Sequence, residues 1–131
     1  MILIDTSAWV EFDRATESAT HVRLRDLIVA GGPLAVTEPI VMEVVIGART
    51  LRREAALRRL MGAFPLLPFD ASTDFEAASR IYLQCRRVGI TPRGTVDCMV
   101  VAVAQRTGSA ILAADRDLDH VCEVIGVPLD R

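Results

Sequence analysis

The sequence predicts an α/β fold, with a central parallel sheet of four to five strands and helices on both faces. Three observations predict it. Short apolar runs at Ile2–Ile4, Leu34–Val36 and Ala110–Ala113 read as buried strands. Longer amphipathic stretches separate them, and alternating β and α elements give a parallel sheet covered on both sides. Residues 95–106 are almost wholly apolar, the pattern of a helix buried nearly all round.

Taken in order, Ile2–Ile4 is the first strand, and Thr6 or Ser7 is placed to cap a short helix carrying Trp9, Val10 and Phe12. A helix over Ala19–Ala30 gathers Val22, Leu24, Leu27 and Ile28 and stops at Gly31-Gly32-Pro33. Leu34–Val36 is the second strand. Thr37-Glu38-Pro39 opens the next helix, since proline is well tolerated in the first turn, and Gly47 breaks it. A more polar helix resumes near Thr50, with Leu51, Leu57, Leu60 and Met61 turned inward. Leu66–Phe69, bracketed by Pro65 and Pro68, reads as a third strand. Ser72 or Thr73 caps a helix to Arg87, stopped by Val88-Gly89. After the apolar helix come the strand Ala110–Ala113, a short helix Leu118–Val124 and an edge strand at Val127–Leu129. No repeat or linker divides residues 1–131, which are expected to form one domain.

The chain is 51% hydrophobic, yet no apolar run approaches the roughly 18 residues of a bilayer span. The opening Met1-Ile2-Leu3-Ile4-Asp5 lacks the basic start and small-residue cleavage site of a signal peptide, so the cytoplasm is the expected compartment. Cys85, Cys98 and Cys122 are odd in number and form no Cys-x-x-Cys pair, indicating neither a disulfide framework nor a zinc site. A net charge of −2 does not advertise a nucleic-acid binder. All fifteen basic residues are arginine, which excludes every lysine mechanism, including the Gly-Lys-Ser/Thr phosphate loop. The pairs Arg52-Arg53, Arg58-Arg59 and Arg86-Arg87 fit solvated helix faces first and phosphate contacts second. His21 and His120 have no acid–base company and are expected at the surface. Trp9 and Phe12 read first as core. The apolar content, with exposed-looking stretches at Trp9–Phe12 and Leu57–Met61, exceeds the need of one small core and leads us to expect a symmetric homodimer.

Four acidic residues stand where surface charges should not. Asp5 ends the run Met1–Ile4, and Asp115 ends Ala110–Ala114. Glu43 interrupts Ile40–Ile46, and Asp97 interrupts Val96–Ala104. A carboxylate carried into a core costs several kcal/mol unless a cation or hydrogen bonds compensate it. In an open parallel sheet, sites form beyond the carboxyl ends of the strands. Asp5 and Asp115 lie at such ends, and Glu43 and Asp97 near helix starts on the same edge. Nothing three or four positions from Glu43 neutralises it, whereas Arg93 is within reach of Asp97. Oxygen donors without His or Cys select Mg²⁺ or Mn²⁺, with Asp5, Asp97 and Asp115 as ligands. Such ions suit water attack on a phosphodiester, one ion or a pair serving. Each acid singly also fits a helix cap or a buried pair with arginine. Thr6, Ser7 and Asp117 are further oxygen donors beside the set. Arg93 and Arg116 are the arginines nearest to it and the expected contacts for substrate phosphates, which the resemblance described next makes those of RNA.

Four stretches in this order resemble the PIN-domain ribonucleases, and among them the VapC toxins of bacterial toxin–antitoxin pairs. They are Ile2-Leu3-Ile4-Asp5-Thr6-Ser7-Ala8-Trp9-Val10, Glu38-Pro39-Ile40-Val41-Met42-Glu43-Val44, Thr95-Val96-Asp97-Cys98 and Leu112-Ala113-Ala114-Asp115-Arg116-Asp117-Leu118. The resemblance covers essentially the whole chain. It implies a PIN-like three-layer fold with Asp5, Glu43, Asp97 and Asp115 as the catalytic acids. It also implies a Mg²⁺- or Mn²⁺-dependent endoribonuclease acting on tRNA or rRNA and blocking translation. The partners implied are a cognate VapB-type antitoxin and a second copy of the chain, with no membrane. Leu118 departs from the aromatic residue that relatives often carry there, which bears on packing. A receiver or haloacid-dehalogenase-like domain would also end its first strand on Asp. The first needs a lysine, which is missing, and the second an acid where Ser7 stands. A catalytically silent PIN-like module that binds RNA or protein is the remaining alternative.

Overall fold

The computed structural model describes residues 1–131. Its three parallel strands are β1 (Ile2–Ile4), β2 (Leu34–Ala35) and β3 (Ala110–Leu112), in the order β2-β1-β3. The central strand sets Leu3 opposite Ala35 on one side and Ile111 on the other. After β1 run α1 (Thr6–Asp13) and α2 (Ala19–Val29). After β2 come α3 (Glu38–Ile46), α4 (Leu51–Gly62), α5 (Asp74–Arg87) and α6 (Thr95–Thr107). β3 leads into α7 (Arg116–Ile125). Because β2 and β3 lie on opposite sides of β1, strand order reverses at β1, the point where an α/β sheet opens a crevice.

The two further strands expected from the sequence shrink to single bridges. Leu66 pairs with Val36 at one edge, and Leu129 with Ile111 at the other. Proline is the cause. Pro65 and Pro68 flank Leu66-Leu67 and Pro128 precedes Leu129, and none has the N–H a longer ladder requires. Each edge therefore holds two bonds: Val36 N–H to Pro65 O and Leu67 N–H to Val36 O, then Ile111 N–H to Pro128 O and Asp130 N–H to Ile111 O.

The core is built around α6, where Val100 to Ala104 are no more than 1% exposed. Valine is a mediocre helix former, but burying each such side chain returns ~1.5–3 kcal/mol and overrides the propensity. Gly108, at φ 67°, supplies the left-handed residue that turns α6 into β3. Trp9, Leu57 and Met61 are 1%, 7% and 3% exposed, so they do not form the open apolar surface expected of their stretches. Of the apolar residues in those stretches only Val10 is left in solvent, and the other exposed apolar residues include Met42 and Ile46 on α3 and Phe75 and Leu83 on α5. Leu51, expected inward, is exposed, because it lies about 100° round α4 from Leu57 and Met61. His21, expected at the surface, is buried against Phe12. Its Nδ1 accepts the Glu17 N–H at 2.9 Å, fastening a turn in which Ala15 and Glu17 carry positive φ.

The arginine pairs follow the solvated-face reading. Arg53 bonds Asp13 at 2.6 Å, Arg58 bonds Glu54 at 2.8 Å, Arg86 lies over the Tyr82 ring, and Arg52, Arg59 and Arg87 are exposed. Cys85, Cys98 and Cys122 are buried free thiols. No helix is long and apolar enough to cross a membrane.

Candidate active site

Asp5 directly follows β1, where its N–H bonds Leu112 O at 2.9 Å and so joins the ends of β1 and β3. Its carboxylate is the N-cap of α1: Oδ2 accepts the Ser7 N–H at 2.9 Å and the Ser7 hydroxyl at 2.6 Å. Ser7 Oγ in turn accepts the Ala114 N–H at 2.9 Å. One serine thus ties the first acid to the loop that carries the last. Asp115 caps α7 in the same manner, its Oδ1 accepting the Asp117 N–H at 2.9 Å and, more weakly, the Leu118 N–H at 3.4 Å. That cap starts α7 at Arg116, two residues before the expected Leu118. The sequence reading gave the first cap to Thr6 or Ser7, whereas the acid itself performs it.

Asp97 stands in the first turn of α6, whose N-cap Gly94 offers no side chain. Three helix N-termini, those of α1, α6 and α7, therefore each carry one of these acids, and their partial positive charge favours the ionised form. Glu43 does not share this setting. It lies in the second turn of α3 rather than near its start, and its Oε1 accepts the Thr6 hydroxyl at 2.7 Å. Thr6 is thus taken up by Glu43.

The acids sense one another. Asp97 is pushed up to about 7, first by burial, then by the charges of Asp5 and Asp115, with Arg93 pulling the other way and Glu43 adding to the rise. Asp5 is raised by burial, which outweighs the Ser7 hydrogen bonds, and the charges of Glu43 and Asp115 add to it. Both shifts come first from burial, and the negative charge of the neighbouring acids adds to them. The only guanidinium paired with an acid of the set is Arg93, which bonds Asp115 Oδ2 and stands 3.7 Å from Asp117. Arg93 was expected to reach Asp97. Lying just before α6, it reaches across to the α7 cap instead. Arg116 is exposed and lines a cavity with Ser7, Arg93, Ala114, Asp115 and Asp117.

The donors are oxygens alone, and their excess negative charge fits a hard divalent cation. No three of the side chains surround a common point, and Arg93 holds the Asp115 Oδ2 that a cation would take. The link that Ser7 makes between Asp5 and the loop of Asp115 goes beyond the cap or further donor expected of it. An acid at a strand end with a hydroxyl two residues on is the local signature of such a turn.

Among known families, the PIN domain matches residues 2–124. Ribonuclease VapC11 of Mycobacterium tuberculosis is 42% identical over 125 residues, covering 95% of this chain and 93% of that one. The chain belongs to the PIN-domain family, in its VapC branch. As a PIN domain it has solved neighbours in fold. VapBC2 from Rickettsia felis, bound to a DNA fragment from its promoter, aligns with a TM-score of 0.76 at 12% identity, covering 99% of this chain and 98% of that one. VapC20 from Mycobacterium tuberculosis, a toxin that cleaves the sarcin–ricin loop, aligns at 0.65 and 20% identity over 91% and 93%. These two likenesses bear on fold.

Proposed function

We propose that this PIN domain is a Mg²⁺- or Mn²⁺-dependent endoribonuclease, the toxin of a toxin–antitoxin pair that blocks translation by cutting tRNA or rRNA. One observation carries the reading: acids from four distant stretches of chain gather at the reversal point of the sheet, where burial first and one another's charge second push Asp97 up to about 7. The 42% identity to a chain named a ribonuclease supports it. Residues 1–131 act as one nuclease domain in the cytoplasm. A VapB-type antitoxin and a second copy of the chain are its partners, and exposed Met42, Ile46, Phe75 and Leu83 offer apolar surface for them.

In this reading Asp5, Asp97 and Asp115 would hold the cation. When bound, it supplies positive charge for the scissile phosphate and makes water a stronger acid. Thr6 fixes Glu43 through Oε1, leaving Oε2 to take the proton of the attacking water. The water oxygen bonds to phosphorus, the P–O bond to the leaving sugar breaks, and solvent protonates the leaving oxygen. Ser7 keeps Asp5 in register with the Asp115 loop. Arg93, once released from Asp115, and Arg116 contact the RNA backbone beside the break.

The test is cleavage of purified tRNA and rRNA with Mg²⁺ or Mn²⁺, with chelator and Asp97→Asn as controls. Metal-dependent cutting that disappears in the variant is expected. Cutting unaffected by both controls would show another chemistry. Tight RNA binding without cutting in any metal would show a catalytically silent module.

A further inference from the structure

Beside the acids lies a groove that the reaction scheme leaves unused. It runs between α1, α3 and α4, with Val10, Val44 and Leu60 as an apolar wall, and it holds about 330 Å³. Glu43 lines it as well, so the groove shares one acid with the set. Three arginines line the rest: Arg14, Arg49 and Arg53. Arg53 is neutralised by Asp13 at 2.6 Å, while Arg14 and Arg49 are exposed and pair with no carboxylate. A fourth feature is independent of charge. The only buried side-chain polar atom without a hydrogen-bond partner in the molecule is Nε1 of Trp9, a residue that also lines this groove. An indole N–H only donates, so what it lacks is an acceptor.

We propose that this groove is a second RNA subsite, in which Arg14 and Arg49 hold phosphates of the strand leading to the scissile bond. The proposal rests on the ribonuclease reading above and adds to it where the strand runs. A strand whose scissile phosphate sits at the acids must leave them in two directions. Arg93 and Arg116 flank one direction, in the cavity beside Ser7 and Ala114. The α1–α3–α4 groove, lined by Glu43 and by the free cations Arg14 and Arg49, is the other direction. An acidic protein segment could satisfy the same guanidinium groups. Continuity with Glu43, the residue assigned the proton, favours the substrate strand.

The experiment uses the full chain carrying Asp97→Asn, so that RNA is bound and not cut. Binding of a fluorescein-labelled RNA hairpin with an unpaired loop is followed by anisotropy across a salt series. In parallel, unlabelled hairpin is titrated against the emission of Trp9, the only tryptophan in the chain. Each phosphate contact on a single strand contributes about 0.7 unit to the salt slope. Arg14→Ala with Arg49→Ala should therefore lower the slope by about 1.4 units and remove the change in Trp9 emission. Arg14→Lys with Arg49→Lys should keep the slope, separating charge from any loss of folding. Arg86→Ala with Arg87→Ala, the same charge change on α5, should leave both readouts alone. The proposal is overturned if the groove double variant keeps the slope, or if the α5 control lowers it as much. It is also overturned if a polyglutamate peptide, and not RNA, changes Trp9 emission through Arg14 and Arg49; the groove then receives an acidic protein. If the Asp97→Asn parent binds no RNA at all, the ribonuclease reading itself fails and the subsite with it.

Discussion

Asp5 has two duties, which substitution can separate. As the α1 cap it needs only an acceptor oxygen, and as a candidate metal ligand it needs charge. Asp5→Asn keeps the acceptor and should abolish cleavage without lowering the melting temperature. Asp5→Ala loses both and should cost about 1 kcal/mol of stability as well. Cleavage by Asp5→Asn at the parent's rate would refute the assignment. Asp97 carries a pH signature. With its carboxyl raised from 3.8 to about 7, the folded chain holds a proton that the unfolded chain has released across that window. Its contribution to the stability of the metal-free protein therefore falls as pH rises from about 4 to about 7. Asp97→Asn removes that slope and should be the more stable protein at about pH 8, by ~1–2 kcal/mol once partial solvation is discounted. Urea melts at about pH 5 and about pH 8 measure it, and an advantage no larger at the higher pH would sink the idea. The four acids were legible in the sequence because carboxylates interrupt or end apolar runs. The caps were partly hidden, and the Ser7 link to Ala114 was invisible, because that bond spans 107 positions.

At the scale of elements, the loop before α5 is tied to α6 by one buried cluster. Asp74 is 1% exposed, accepts Arg106 Nη2 at 2.8 Å and Nε at 3.0 Å, and also takes the Asp70 N–H at 2.8 Å. Burial alone would raise its carboxyl, but the Arg106 and Asp70 hydrogen bonds outweigh it and hold it below the ordinary value. Because the folded pKa is depressed, this stabilisation is present above about pH 4 and is lost as pH falls through the lower folded value. Asp74→Ala should cost about 3 kcal/mol at neutral pH, and Arg106→Ala a similar amount by leaving the acid buried without its cation. Denaturant melts of both variants check this, and a cost under about 0.5 kcal/mol would class the cluster with ordinary surface pairs. Helix spans were legible because their apolar periodicity is long. The edge strands were not, since Leu66–Phe69 and Val127–Leu129 have strand composition but prolines where ladder donors are needed.

For the whole molecule, the alternation of elements foretold the parallel sheet, while the strand order that opens it at β1 came only with the structure. What periodicity could not place was exposure at single positions, as His21 and Leu51 show. The three thiols give a measure of the assembled core. Burial raises all of them, Cys98 to about 11 and Cys122 to about 12, so essentially none is thiolate at neutral pH. Iodoacetamide should therefore modify the three together, at a rate set by global opening rather than by local fraying. Mass spectrometry of a labelling time course should show unmodified and triply modified chains, with few between. Rapid single modification would mean that one layer opens alone.

The caps that Asp5 and Asp115 make, together with the metal role proposed for them, also constrain how such a protein can evolve. A lineage released from catalysis can discard Glu43 or Asp97 with little loss of helix capping, and gains by replacing a charge among apolar neighbours. Positions 5 and 115 still start α1 and α7, so the neutral exits there are Asn, Ser or Thr, and alanine is penalised. A library selected for folding alone should keep capping residues at 5 and 115 while 43 and 97 drift apolar.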